Sequence, residues 1–321
     1  MSQLHHEQRR DTAEARPRPD ARQSHTNSPV LAVLLVLPAV VLLTLFLLWP
    51  IVTAVQYSFT GASGFGDADP VGMANYERAL TDGAFWGALG RNVVFALIVT
   101  AASLAIGFVL AYLLFLRVRG WRGLQVLLMV PYILPVVVTA LLWKFMMEPH
   151  GGLFNSALRA IGLDALANPW LSSPSTALGS VSLVQVWQIT PFAMLLIFGA
   201  MIAIPTEVIE AADLDGAGHA TKMLRIVLPI VRPAMILTAI VIAIGLFRSF
   251  DLIYLLTQGG PINSTTISTL YIYVQGFVNN NYGYANAAGV LVGVFLVALA
   301  VIPRIAQRTQ RRRAEHAEGT E

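Results

Sequence analysis

Two long apolar stretches near the middle of the chain carry side chains that hydrocarbon does not tolerate without partners. The first holds Gln185, Trp187, Gln188 and Thr190 just ahead of Pro191, and the second holds Arg248, Phe250 and Asp251. A polar group removed from water is costly unless it is paired. Each of these therefore either hydrogen-bonds a neighbouring helix or touches a polar solute. The residues of the first stretch cover more than one helical face, so they cannot all point inward. Arg248 and Asp251 are three apart, which would let them neutralise each other on one face of a helix. The alternative is a charged lining for a vestibule. Lys144, near the end of another apolar stretch, reads as a side chain that snorkels to an interface.

A different chemistry lies between these stretches. Thr206–Asp215 reads TEVIEAADLD, with Glu207, Glu210 and Asp213 three apart on one helical edge and Val208, Ala211 and Ala212 on another. Pro205 sets the start, Gly216 and Gly218 break the pattern, and Lys222–Val227 forms a second helical stretch before Pro229 and Pro233. Small side chains at Ala211 and Ala212 would let a partner surface approach the backbone, and the acids offer charge to a basic partner. An amphipathic helix lying on a membrane would carry Lys and Arg instead.

Several chemistries are excluded. The chain has no Cys, hence no disulfide, thiolate metal site or thiol catalysis. His5, His6, His25, His150, His219 and His316 form no triad or metal spacing. No G-x-x-x-x-G-K-[ST] phosphate loop is present, so ATP would have to be handled elsewhere.

The elements that must position these residues are membrane helices. With 56% hydrophobic and 12% charged residues in 321, the chain has too little polar surface for a soluble globule. A span needs about 20 mostly apolar residues, and six stretches qualify: Val30–Tyr57, Asn92–Phe115, Leu124–Met147, Ala177–Ile204, Pro233–Leu256 and Tyr284–Ile302. The first is too long for a signal peptide. Sixteen of the 21 Lys and Arg then fall on one side, in residues 1–29, in the second and fourth connections and from Arg304 onward. Only Arg78, Arg91 and Arg159 fall on the other. That bias puts both termini in the cytoplasm. The expected organisation is a cytoplasmic tail (1–29), a six-helix membrane domain (30–303) with a cytoplasmic loop (204–232), and a basic tail (304–321). Pro131 and Pro135 predict a bend in the third span. Ala285, Gly289 and Gly293 predict close packing on the last.

Glu210-Ala211-Ala212, Gly216, and Ile226, Leu228 and Pro229 match every defined position of E-A-A, three residues, G, nine residues, I-x-L-P. This resembles the EAA loop of binding-protein-dependent ABC importer permeases. Ala212-Asp213-Leu214-Asp215-Gly216-Ala217 resembles the carbohydrate and glycerol-phosphate branch. So do Asn75-Tyr76, Phe85-Trp86, the Thr257–Pro261 segment TQGGP followed by Thr265 or Thr266, Tyr271-Ile272-Tyr273, Phe277 and Gly283-Tyr284-Ala285. The extra spans and large external domain of the best-known maltose permease are missing, and the chain looks like the compact form.

The resemblance implies an all-α, six-helix type I importer bundle in a bacterial inner membrane. It implies a sugar or sugar-like solute, with Gln185, Trp187, Gln188, Thr190, Arg248, Phe250 and Asp251 as candidates for the path. It also implies docking of a separate ATPase on Glu210, Ala211, Ala212, Asp213, Asp215, Gly216, Ile226, Leu228 and Pro229. The implied partners are a second, homologous permease in a heterodimer, two ATP-binding subunits that hold ATP and Mg, an external solute-binding protein and membrane lipid. No cofactor is expected in this chain, and no nucleic acid. An ion-coupled secondary transporter is the alternative, but Asp251 is the only acid within a span and it has Arg248 nearby.

Overall fold

The structure, a computed structural model, describes residues 29–63 and 68–299. The expected tails lie outside these residues, apart from Pro29. Among the described residues the regular structure is helical, with one antiparallel bridge between Thr60 and Pro70.

The chain forms two units that meet at Val52. The first contains most of α1 (Val33–Ser58), the first apolar span. Its helix Pro29–Leu43 gives way to a π-type stretch, Thr44–Leu48, ahead of Pro50. A proline cannot donate to the carbonyl one turn back and its ring crowds that carbonyl. The wider π turn absorbs the mismatch.

In the second unit, α2 (Ala74–Thr81) leads into α3 (Gly83–Phe115). The expected start at Asn92 is nine residues late. Asp82 sets the true start, accepting a 2.8 Å hydrogen bond from the Ala84 N–H as an N-cap. Arg91 therefore sits inside a helix, and its Nε donates to the Thr266 carbonyl at 2.8 Å. With 33 residues, α3 is about 50 Å long and outreaches the hydrocarbon.

Two short helices follow where one straight span was expected. α4 (Trp121–Ile133) and α5 (Val136–Met146) meet at 92°. Pro135 drives Leu134 into extended backbone, with ψ of 133°, because the residue before a proline is kept out of the helical region. After α6 (Leu153–Ala160) comes α7 (Ala177–Ile202), the main packing partner of α3. Ser103, Gly107 and Ala111, four apart, are buried on α3, and Gly107 is where α3 approaches α7 most closely among its glycines. A Cβ on Gly107 would come within 3.0 Å of the Ala193 Cβ and the Met194 nitrogen. This is the close helix crossing that small residues permit.

α8 (Thr206–Leu214) precedes a long helix, α9 (His219–Phe247). The expected fifth span, Pro233–Leu256, is displaced. The helix begins 14 residues earlier, crosses Pro229 with the help of a π stretch at Lys222–Val227, and stops at Phe247. After three intervening residues the chain enters α10 (Asp251–Thr257). α11 (Ser268–Tyr273) continues into a π stretch, Val274–Val278, and α12 (Tyr282–Leu299) is the last span described. The expected small-residue face on α12 is only partly used. Ala285 is buried and meets Gly276, but Gly289 and Gly293 have no close neighbour, and the other buried side chains are Tyr284, Ala287, Ala288 and Val292.

Among the described residues, five helices are long and apolar enough to cross a membrane, and the bent pair makes six if it counts as one span. The core has two parts. One surrounds Phe85, Phe95, Trp143 and Ile253 toward the start of α3. The other surrounds Phe108, Leu114, Met194 and Val227 toward its end.

Candidate functional site

The acidic segment forms α8, begun by Pro205 and closed at Gly216. Gly216 has φ of +73°. The Ala217 N–H reaches the Ala212 carbonyl at 2.9 Å and the Gly216 N–H reaches Asp213 at 3.1 Å. That pair of bonds is the Schellman arrangement, which needs left-handed backbone at its corner. Open space surrounds the position where a Gly216 side chain would begin. Backbone conformation, not crowding, therefore calls for glycine.

Glu210, Ala211, Asp213, Asp215, Gly216 and Pro229 are exposed, while Ile226 and Leu228 are half-buried. Ala212 departs from the expectation of a partner-facing surface. It is 5% exposed and faces the bundle itself. Asp213 also departs, because Lys222, itself buried, pairs with it at 2.5 Å. The Tyr112 hydroxyl on α3 donates to the His219 carbonyl at 3.1 Å. α8 and the start of α9 are thus pinned to each other and to α3. Sequence reasoning missed Lys222 and Tyr112, and it missed Leu214, which is 90% exposed. A leucine just before the glycine corner was the available signal.

At its other end α9 stops beside a cavity of about 370 Å³. The break leaves backbone groups to be satisfied. Asn92 of α3 donates to the Leu246 carbonyl at 3.4 Å and Thr269 to the Ser249 carbonyl at 2.6 Å. Within a bilayer, irregular backbone persists where protein groups satisfy it or where it lines a wet cavity. The cavity brings together Gln185, Gln188, Arg248, Phe250 and Asp251 from the expected set, and adds Tyr132 and Phe192. The rings of Tyr132 and Phe192 stack at 5.5 Å, and Phe250 stacks on Tyr254 at 5.2 Å. The Gln188 amide lies 3.5 Å from the Leu134 carbonyl at the α4–α5 bend.

Two expected residues point elsewhere. Trp187 packs edge-on against Trp143 at 5.4 Å, and Thr190 returns its hydroxyl to the Val186 carbonyl at 2.6 Å. The reading of Arg248 and Asp251 as an ion pair on one helix face is also corrected. The helix ends at Phe247 and restarts at Asp251, and neither residue enters an ion pair among the described residues.

The remaining residues of the resemblance build the far end of the bundle. Asn75 donates to the Ser58 and Thr60 carbonyls at 2.9 and 2.8 Å, and Tyr76 shares a 2.6 Å hydrogen bond with the Ser58 hydroxyl. In the TQGGP loop the Thr257 and Thr265 hydroxyls meet at 2.6 Å, and Thr266 donates to the Gly259 carbonyl at 3.1 Å. Asp82 accepts from both Tyr271 and Tyr284. Burial disfavours its charge, but these hydroxyls and the backbone N–H groups of Ala84 and Phe85 outweigh that and hold its carboxyl below the usual range.

Known proteins share this architecture and sequence. A bacterial ABC transporter involved in import of the acidic polysaccharide alginate has a similar fold, with a TM-score of 0.75 at 21% identity over 87% of this chain and 95% of that one. A probable ABC transporter permease of Pyrococcus horikoshii is 31% identical over 84% of this chain and 92% of its own length. The trehalose/maltose transport system permease of Thermococcus litoralis is 30% identical over 85% and 92%. The sulfoquinovosyl glycerol transport system permease of Agrobacterium fabrum is 31% identical over 86% and 90%. Residues 103–316 match the family described as binding-protein-dependent transport system inner membrane component. With its helical bundle, its glycine-cornered acidic loop and relatives matched along nearly their whole length, the chain belongs to that family, the permeases of ABC importers.

Proposed function

We propose that this permease passes a sugar or sugar-like solute through the cavity at the α9–α10 break, and that a separate ATPase drives it through the Glu210–Pro229 loop. The reading rests on one observation above all. α9 is a single helix with the loop at one end and the cavity at the other. Its 29 residues span about 43 Å, so a displacement of the docked loop reaches the cavity wall along one continuous helix. Relatives that carry sugars by name support the substrate class.

A second homologous permease completes the pathway, an external binding protein delivers the solute, and two ATP-binding subunits engage the loop from the cytoplasm. Both termini are cytoplasmic, in keeping with the distribution of Lys and Arg. Leu214 and Leu224 are exposed on the same loop as the exposed acids Glu207, Glu210 and Asp215, a composition that suits a partner surface offering both apolar and basic groups. The test is uptake by a Gly216→Trp protein assembled with intact ATPase subunits. A steep loss of uptake is expected, and normal uptake would contradict the coupling role.

A further inference from the structure

The cavity at the α9–α10 break is charge-balanced, and that balance bears on what can pass. Its lining holds one cation, Arg248, and one anion, Asp251, with the amides of Gln185 and Gln188 between apolar and aromatic walls. Both charged side chains are exposed, and neither is consumed by an ion pair among the described residues. A second cavity of about 430 Å³ lies toward the other end of α10, with Lys144, Glu148, Ser172 and Thr257 in its lining. It too has one cation and one anion.

Resting on the reading of this cavity as the solute path, we propose that the cargo is an uncharged polyhydroxy compound, a neutral oligosaccharide or polyol, with Arg248 donating to and Asp251 accepting from its hydroxyls. A solute bearing carboxylate, phosphate or sulfonate must shed a hydration shell worth several hydrogen bonds. Arg248 would repay that cost, but Asp251 in the same cavity would cancel much of the gain. A hydroxyl can donate to a carboxylate and accept from a guanidinium, so a neutral sugar uses both signs of charge at once. The Tyr132–Phe192 and Phe250–Tyr254 stacks offer flat apolar surface to the C–H faces of a sugar ring.

Saturation-transfer NMR on the full chain in nanodiscs tests this with matched probes: trehalose and maltose as neutral solutes, glucuronate and glycerol 3-phosphate as anions. The wild type is expected to transfer saturation to a neutral probe and about tenfold less to either anion. Asp251→Asn should shift the preference toward the anions by about tenfold and Arg248→Gln should shift it the other way, so the pair gives opposite signs that misfolding would not produce. A wild type that favours the anions, or shifts of the same sign in both variants, would overturn the neutral-cargo inference while leaving a solute path at this cavity. Absence of transfer to every probe, with Phe250→Ala also silent, would overturn the path reading itself and this inference with it.

Discussion

Asp82 joins the start of α3 to α11 and α12 through one carboxylate and two tyrosine hydroxyls. Its lowered pKa fixes the sign of a pH effect. The stabilisation is in place above the ordinary aspartate range, near pH 3.9, and is lost as the pH falls through the lower value in the folded protein. Thermal unfolding of the solubilised chain should therefore show a decline in Tm at acid pH, and Asp82→Asn should flatten part of that slope while lowering Tm at neutral pH. Gly216 makes a second prediction at this scale. Gly216→Ala keeps open space around the new methyl but places it at φ +73°, so it should destabilise the loop by about 1 kcal/mol. Faster amide exchange confined to Thr206–Lys222 would report it. Lys222→Met removes the partner of Asp213 while keeping the buried stem. It should leave Tm within a few degrees yet raise the ATP consumed per solute, measured by parallel hydrolysis and uptake assays.

The helices were legible where local chemistry decided them. Pro131 and Pro135 announced a bend, and the structure gives 92°. The Ala177–Ile202 helix and the start of the Tyr282–Leu299 helix lie within two residues of their expected bounds, and the expected end of the last span at Ile302 lies outside the described residues. The start of α3 was missed because Gly83–Arg91 is only moderately apolar and a cap, not hydropathy, begins it. α9 was misplaced for a different reason. Pro229 and Pro233 look like helix breakers, and only the π stretch before them lets the helix continue. No Gly or Pro immediately follows the stop at Phe247, and tertiary partners such as Asn92 and Thr269 make it affordable. Of the candidate site residues, the loop motif was readable as a pattern, whereas the inward orientation of Ala212 and the exclusion of Trp187 and Thr190 from the cavity depend on which helices pack together. The Ser103–Gly107–Ala111 face of α3 obeys the spacing rule that had pointed to α12, but nothing local identifies its partner. Gly107→Leu should cost about 1–3 kcal/mol or more by forcing α3 from α7, visible as a lower Tm and poor recovery from the membrane.

For the whole molecule, the arrangement is one of separated tasks. A rigid end around Asp82 and the TQGGP loop anchors the bundle, a polar cavity interrupts its middle, and a pinned loop protrudes at the far end with Leu214 exposed. α9 joins the last two. An ATP-driven importer needs those parts in one connected path, whereas a secondary transporter would draw its energy from an ion gradient. The direct measurement is uptake of labelled trehalose, or another sugar that the binding protein captures, into proteoliposomes holding the complete transporter, with ATP and the ion gradients varied independently. Uptake that requires ATP, survives ionophores and collapses in the Gly216→Trp protein is the predicted result. Uptake that proceeds without ATP and vanishes with the ion gradient would contradict the account.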